Sequence, residues 1–268
     1  MNLHSIDSIY SQFHDEFFED LLYIIAKKIH IDDLFHLSNC IVSLNCIIHN
    51  PPFIRNKLAP INSNISYYIK KKQWNYALWI AAKCGQLDIC KYIVSIGATH
   101  FNIALHYAAH GHLEICKYLV SLGATDFNSA LKNAAHGGHL EICKYFVSLG
   151  ATDFNSALKY AACGHLDICK YLVYLGATDF NTALKYATRH GNLHICKYFV
   201  SLGATDFNSA LKYAAKYGHL HICDYLVYLG ATDFNSALKY AAKYGELHIC
   251  KYFVSVSYTH LTLPTKRI

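Results

Sequence analysis

An all-α, helix–turn–helix solenoid, preceded by a small helical N-terminal domain, is the fold class that the sequence predicts. The main observation is a repeat, because the segment GATDFNSALKYAA recurs almost letter for letter at intervals of 26 or 27 residues. Within each repeat the apolar residues recur at steps of three and four, which is the period of an amphipathic helix. Glycines separate the two helical stretches and also follow the second one, where a left-handed residue commonly ends a helix. The glycines that open the segment are Gly97, Gly123, Gly150, Gly176, Gly203 and Gly230.

The composition excludes several classes of protein. Hydrophobic residues make up 53% of the 268 positions, which is too high for a disordered chain. The stretch from Leu21 to Ala26 is the longest apolar run near the start, far short of the roughly 18 residues that a membrane helix needs. The 11 cysteines are an odd number in a chain that is not a small secreted domain, so we expect a reduced, cytoplasmic protein. A net charge of +6 is too small to indicate nucleic acid as the partner.

Residues 1–58 form the first predicted domain. Two apolar stretches with helical spacing lie in it, and Asn50-Pro51-Pro52 ends the second stretch. Residues 59–71 are interpreted as a linker and a lead-in helix. The apolar residues of these two stretches include Phe17, Leu21, Leu22, Leu34, Leu37 and Ile41.

Seven repeats are predicted over residues 72–255, the last of them incomplete. They share the frame N-x-A-L-x-x-A-x-x-x-G-x-L-x-I-C-x-Y-x-V, and each is interpreted as helix, turn, helix and loop. The two 26-residue units lack one residue in the inter-helix turn, at AAHGH (Ala108 to His112) and AACGH (Ala161 to His165), which is expected to shorten that loop. No single unit can bury its own apolar faces, so neighbouring units must stack.

These residues resemble the ankyrin repeat. The stretch SALKYAAKYGHLHICDYLVYLGA (Ser209 to Ala231) follows the T-P-L-H-x-A-A-x-x-G-H-x-x-I-V-x-x-L-L-x-x-G-A frame of that family. Two features differ, since T-P-L-H is S-A-L-K in most units and the units are shorter than the 33 residues typical of the family. The resemblance therefore implies an ankyrin-type solenoid with shortened fingers, in which GATDFN forms a tight turn. The short units are similar to those in ankyrin proteins of giant, mimivirus-like viruses.

Residues 1–58 resemble an F-box. The pattern is an acidic start, an apolar helix, D-L-x-x-L from Asp33 to Leu37, an apolar helix and P-P-F-I-R-N-K-L from Pro51 to Leu58. His14 stands where the family usually has proline and Leu44 where it usually has tryptophan. The resemblance implies that the six apolar residues named above dock on the adaptor subunit of a cullin-type ubiquitin ligase. The alternative is a helical cap that only shields the first repeat, since end repeats must hide an apolar face.

Cysteine and histidine recur in register, which raises the question of a metal or redox site. One cysteine per repeat follows isoleucine, and a buried free cysteine behaves as a small apolar side chain. Histidine recurs four residues before it, but two ligands per repeat do not make a closed zinc site, and Asn192 and Glu246 interrupt the series. We therefore predict core cysteines, structural histidines, no metal and no cofactor. The cysteines are Cys90, Cys116, Cys143, Cys169, Cys196, Cys223 and Cys250, and the histidines are His112, His139, His165 and His219.

The positions that vary between repeats are the candidates for partner binding. In ankyrin proteins the pair after A-A lies on the concave face that contacts partners, and here it becomes basic and aromatic in the last three repeats. A lysine row and an aspartate row run beside it, and two interpretations remain open: the rows offset one another as solvated charge, or the basic and aromatic stripe binds an acidic protein surface. The predicted partner-binding residues are His136, Arg189, His190, Lys216, Tyr217, Lys243 and Tyr244. The rows are Lys132, Lys159, Lys185, Lys212 and Lys239, and Asp126, Asp153, Asp179, Asp206 and Asp233.

The predicted function is binding of a protein partner by a monomeric, non-enzymatic array. No phosphate-binding loop, G-x-S-x-G or H-E-x-x-H motif occurs, and the conspicuous cysteines and histidines are repeated where an active site is normally single. If the F-box resemblance holds, the array is a substrate receptor for a ubiquitin ligase. If residues 1–58 are only a cap, it is a plain scaffold or a sequestering protein.

The end of the chain does not continue the repeat. Residues 256–268 have neither repeat character nor helical periodicity, and VSYTHLTLPT resembles translated adapter sequence from DNA library preparation. We predict that this tail is not native.

Overall fold

The computed structural model describes residues 63–262, and the side chains of residues 65 and 67–256 within that range. The six predicted adaptor-docking residues, and the whole of residues 1–58, therefore lie outside the described residues. The chain divides into two compact units between Lys71 and Lys72. Helix α1, Ser63–Lys70, belongs to the first unit.

The second unit consists of helix pairs that follow one another along the chain, and the described residues contain no strand. This confirms the predicted all-α solenoid. The first helices of repeats 1 to 7 are α2 Trp74–Lys83, α4 Phe101–Ala108, α6 Phe127–Gly137, α8 Phe154–Ala161, α10 Phe180–Arg189, α12 Phe207–Lys216 and α14 Phe234–Tyr244. The second helices are α3 Leu87–Ser95, α5 Leu113–Ser121, α7 Leu140–Ser148, α9 Leu166–Tyr174, α11 Leu193–Ser201, α13 Leu220–Tyr228 and α15 Leu247–Thr262.

Small and large side chains divide the core between the two kinds of helix. A first helix buries mainly alanines, as Ala210, Ala214 and Ala215 do in α12, whereas a second helix buries larger side chains such as Ile222 and Leu226 in α13. First helices of neighbouring repeats consequently pack extensively against one another, while second helices touch only lightly. The exposed sides of the first helices form one face of this stack, which we call the inner face.

The loop between repeats is a tight turn, as predicted from GATDFN. After α11 the backbone N–H of Gly203 donates to Val200 O at 3.0 Å and that of Ala204 to Phe199 O at 3.0 Å, which is a Schellman ending. Gly203 has a φ of +98°, in the region that favours glycine. The next helix, α12, begins only at Phe207, so no extended finger interrupts the stack.

Two polar side chains hold the tight turn before α12 in place. The carboxylate of Asp206 accepts a hydrogen bond from the Ser209 N–H at 3.2 Å and so caps helix α12. Asn181 of the preceding repeat accepts from the Thr205 and Asp206 N–H groups at 2.8 and 3.0 Å. Equivalent asparagine contacts join each of repeats 1 to 6 to the repeat that follows, so the asparagine of the frame ties neighbouring repeats together. They are made by Asn75, Asn102, Asn128, Asn155, Asn181 and Asn208.

Two expectations about local structure need correction. The residue missing from the 26-residue units shortens the first helix, since α4 and α8 have 8 residues whereas α10 and α12 have 10. At the other end of the array, helix α15 continues without a break through Thr262. The expectation that the sequence after Ser255 is not helical is thus wrong for residues 256–262, because extending a helix that has already started avoids the cost of nucleation. The adapter-derived origin of the tail stays a prediction.

Candidate functional site

The histidines before the cysteines have a structural role between repeats. The Nε2 atoms of His112, His165 and His219 lie 3.1, 3.0 and 3.1 Å from carbonyl oxygens of the preceding repeat. Asn192, which replaces histidine in repeat 5, donates from Nδ2 to the Cys163 carbonyl in the same way. Each contact satisfies a carbonyl near the end of a first helix, which has no partner within its own helix. The prediction that these histidines are structural is confirmed for His112, His165 and His219.

The cysteines at the frame position fill the core. Those of repeats 1 to 6 have no exposed surface, and Cys250 in repeat 7 is half-buried. Burial raises the pKa of the Cys143 thiol to about 12, and that of Cys196 to about 11. All seven are free thiols. The six buried ones have raised pKa values and stay protonated at neutral pH, so they are poor nucleophiles and poor metal ligands. The prediction of core cysteines is confirmed for these six.

Five of the predicted partner-binding residues form one continuous row on the inner face. The Arg189 guanidinium carbon lies 5.6 Å from the centre of the Tyr217 ring, and Lys216 Nζ lies 4.9 Å from that ring and 4.5 Å from the Tyr244 ring. Lys243 Nζ follows at 5.7 Å from Tyr244. Three cations thus alternate with two aromatic rings across repeats 5 to 7, at distances typical of cation–π contacts. We call these five residues the cation–tyrosine ladder.

Two lysines of the row beside the ladder are neutralised by aspartates. Lys185 Nζ lies 3.6 Å from Asp206, and Lys212 Nζ lies 3.0 Å from Asp233, so each lysine pairs with the aspartate that opens the next repeat. This pairing, together with hydrogen bonds from Ser236, holds the pKa of Asp233 below its usual value. The interpretation of these rows as offsetting charge is confirmed for these two pairs.

The ladder cations differ from that lysine row. Within the described part of the chain, no carboxylate lies within ion-pair distance of Arg189, Lys216 or Lys243. Contact with the hydroxyl groups of Tyr217 and Tyr244 raises the pKa of Lys216, so this amine stays charged well above neutral pH. The ladder therefore presents uncompensated positive charge on aromatic surface.

The other two predicted site residues lie apart from the ladder. The His136 ring is 6.0 Å from that of His110 and 5.9 Å from that of Tyr160, so it belongs to a neighbouring row in repeats 2 to 4. Desolvation and the nearby His136 lower the pKa of His110. His190 is exposed, and desolvation, followed by the Arg189 charge, lowers its pKa.

Sequence reasoning missed the tyrosines that directly follow two lysines of the lysine row, Tyr160 after Lys159 and Tyr186 after Lys185. Tyr186 lies 6.2 Å from Tyr160, and Lys159 sits over both rings, at 4.8 and 5.3 Å. Trp79 and Tyr107 continue the aromatic surface into repeats 1 and 2, with ring centres 4.6 Å apart. The K-Y dipeptide that follows A-L in repeats 4 to 7 is the signal that could have found Tyr160 and Tyr186.

Comparison with known proteins places this helix-pair array in a family. The description "Ankyrin repeats (3 copies)" matches three overlapping segments, residues 56–130, 123–181 and 176–236, which together cover most of the chain. The chain belongs to the ankyrin repeat family. Among solved structures, the crystal structure of the human ASB11 ankyrin repeat domain is similar, with 23% identity and a TM-score of 0.49 over 61% of this chain and 90% of that one. No curated protein matches the sequence.

Membership of the ankyrin family defines the broad role of the array as a protein–protein interaction module. The family is typically a non-enzymatic scaffold. The described residues hold no group of three or more His, Cys, Asp or Glu side chains arranged to bind a metal ion. No described helix combines the length and the apolar character that crossing a bilayer requires.

Proposed function

We propose that the ankyrin array binds an acidic protein surface through the cation–tyrosine ladder of repeats 5 to 7. The observation that supports the proposal is the difference between two rows of cations on one face. The lysine row pairs with aspartates of its own chain at Lys185 and Lys212, whereas the ladder cations contact tyrosines and form no ion pair with any described residue. A cation without an internal partner can give its full electrostatic attraction to a ligand.

The tyrosines of the ladder are also suited to binding a protein surface. Tyr244 is 47% exposed, and an exposed aromatic ring offers a large rigid contact area at little cost in side-chain entropy. Arginine and tyrosine are also the residue types that most often dominate binding energy at protein interfaces. The ladder thus combines charge for orientation with apolar surface for affinity.

Removing the ladder charges is expected to weaken binding of an acidic probe by about tenfold or more. The variant is Arg189→Gln/Lys216→Gln/Lys243→Gln in the full chain, and the probe is a fluorescein-labelled octaglutamate peptide measured by fluorescence anisotropy. Binding to the wild type is expected to weaken steeply as the salt concentration rises, because exposed charges are screened.

The matched control removes the same charge from the opposite face. Lys117→Gln/Lys144→Gln/Lys170→Gln changes three exposed lysines of second helices, two of which pair with glutamates of their own helix. The control is expected to bind like the wild type. Equal losses in both variants would show that net charge alone attracts the probe and would refute the ladder as the site.

The proposal extends to a role in ubiquitin ligation through the F-box-like residues 1–58. This role is supported only by the sequence pattern from Asp15 to Leu58. The expected result is that a purified F-box adaptor subunit retains the full chain but not a Leu34→Glu/Leu37→Glu variant. No retention of the wild type would leave the array as a scaffold or sequestering protein with an N-terminal cap. Cytoplasmic location and relationship to giant-virus ankyrin proteins stay predictions.

A further inference from the structure

We infer that the ladder selects one kind of acidic partner: an extended segment in the polyproline II conformation with an acidic residue at every third position. The inference rests on the proposed function, because it uses the same five residues. It adds the conformation and the spacing of the bound segment.

The spacing of the ladder cations carries the inference. Since the Tyr217 ring lies 5.6 Å from the Arg189 guanidinium and 4.9 Å from Lys216 Nζ, these two cations are at most about 10.5 Å apart. The Tyr244 ring likewise limits the separation of Lys216 and Lys243 to about 10.2 Å, from distances of 4.5 and 5.7 Å. Neighbouring helices pack about 8–10 Å apart, which sets the same scale for one cation per repeat.

Few peptide conformations reproduce this spacing on one side. A polyproline II helix has three residues per turn and a rise of about 3.1 Å, so every third side chain points the same way at intervals of about 9.3 Å. In a β-strand, side chains three apart point to opposite faces. An α-helix returns to one face at this interval only about every seven residues, which leaves most of its side chains unused.

The rings between the cations fit the remaining positions of such a segment. Grooves lined by aromatic side chains recognise polyproline II segments, because the proline rings stack on them and little conformational entropy is lost. Tyr217 and Tyr244 stand between successive cations, where the residues between two acids would lie.

Two labelled peptides of identical composition test the inference on the full chain. Both contain glutamate, proline and serine, with glutamate at every third position in one and at every fourth position in the other. We expect the first to bind about fivefold or more tightly, because its carboxylates share one face and one spacing with the cations. Lys216→Gln, which removes the central cation, is expected to abolish this preference, whereas Lys170→Gln on the outer face is expected to retain it.

The possible outcomes distinguish failure of the spacing rule from failure of the proposed acidic site. Equal affinities for both peptides, with the ladder variant still weaker than its control, would overturn the spacing rule and leave the acidic site standing. No binding of either peptide would overturn both. A single-stranded oligonucleotide of the same charge that bound as tightly as the first peptide would overturn the inference in favour of a general polyanion site.

Discussion

Replacing Phe199 with alanine is expected to lower the free energy of unfolding of the array by about 3–5 kcal/mol. The Phe199 side chain has no exposed surface and stacks on Phe180 with a distance of 6.3 Å between ring centres. Its loss removes apolar contact and leaves a cavity between the two helices of repeat 5, which the alanine-rich first helices are already too closely packed to fill. Urea unfolding followed by circular dichroism measures the change.

The chain itself supplies two controls for this prediction. Repeats 2, 4 and 6 have a fully buried leucine at the same position, for example Leu226, so Phe199→Leu is expected to cost less than about 1.5 kcal/mol. Tyr228 is 86% exposed, and Tyr228→Ala is expected to change stability by less than about 0.5 kcal/mol. A loss of equal size in Phe199→Ala and Tyr228→Ala would contradict the assignment of Phe199 to the core.

The second large effect is expected from Gly138→Ala, at about 2–4 kcal/mol. Gly138 has a φ of +81°, which costs an alanine about 1–2 kcal/mol, and its added Cβ would lie 2.5 Å from the His165 ring. The ring must then move, and its hydrogen bond to the His136 carbonyl, now 3.0 Å long, is lost. A net contribution of about 1 kcal/mol is typical for such a bond.

Gly150→Ala separates backbone strain from the contact with histidine. Gly150 has a φ of +98° but no atom within 4 Å of an added Cβ, so its substitution is expected to cost only the backbone part, about 1–2 kcal/mol. In a His165→Ala background the difference between the two glycine sites is expected to disappear. A difference that persisted would show that the ring does not cause it.

How far the sequence predicts this structure depends on whether a feature repeats within one unit or joins two units. The positive φ of Gly203 and the burial of Cys196 follow from the position of each residue in a helical period, which a single chain reveals. The asparagine contacts are different, because the acceptor Asn181 and the donors in the next turn are 24 and 25 residues apart. Nothing in the periodicity indicates that these groups meet.

The candidate site shows the same division. Sequence reasoning grouped the five residues of the ladder, since they occupy one position pair in successive repeats, and the structure brings them into contact with one another. The sequence does not indicate which partner each lysine of the row contacts. Lys185 pairs with Asp206, whereas Lys159, at the same frame position, lies over two tyrosine rings. That choice is made by side-chain geometry across the interface between repeats, where several partners of similar energy compete.

The buried cysteines have a practical consequence for studying the array. A thiol with no exposed surface and a pKa of about 12, such as Cys90 or Cys169, reacts with a labelling reagent only when its repeat opens. Cys84 is exposed, so it is expected to react at once and calibrate the reagent. Because repeats 1 to 6 each carry one buried thiol, labelling rates read by mass spectrometry record how often every repeat opens. The buried thiols of the unmodified protein thus report local opening at successive positions along the solenoid.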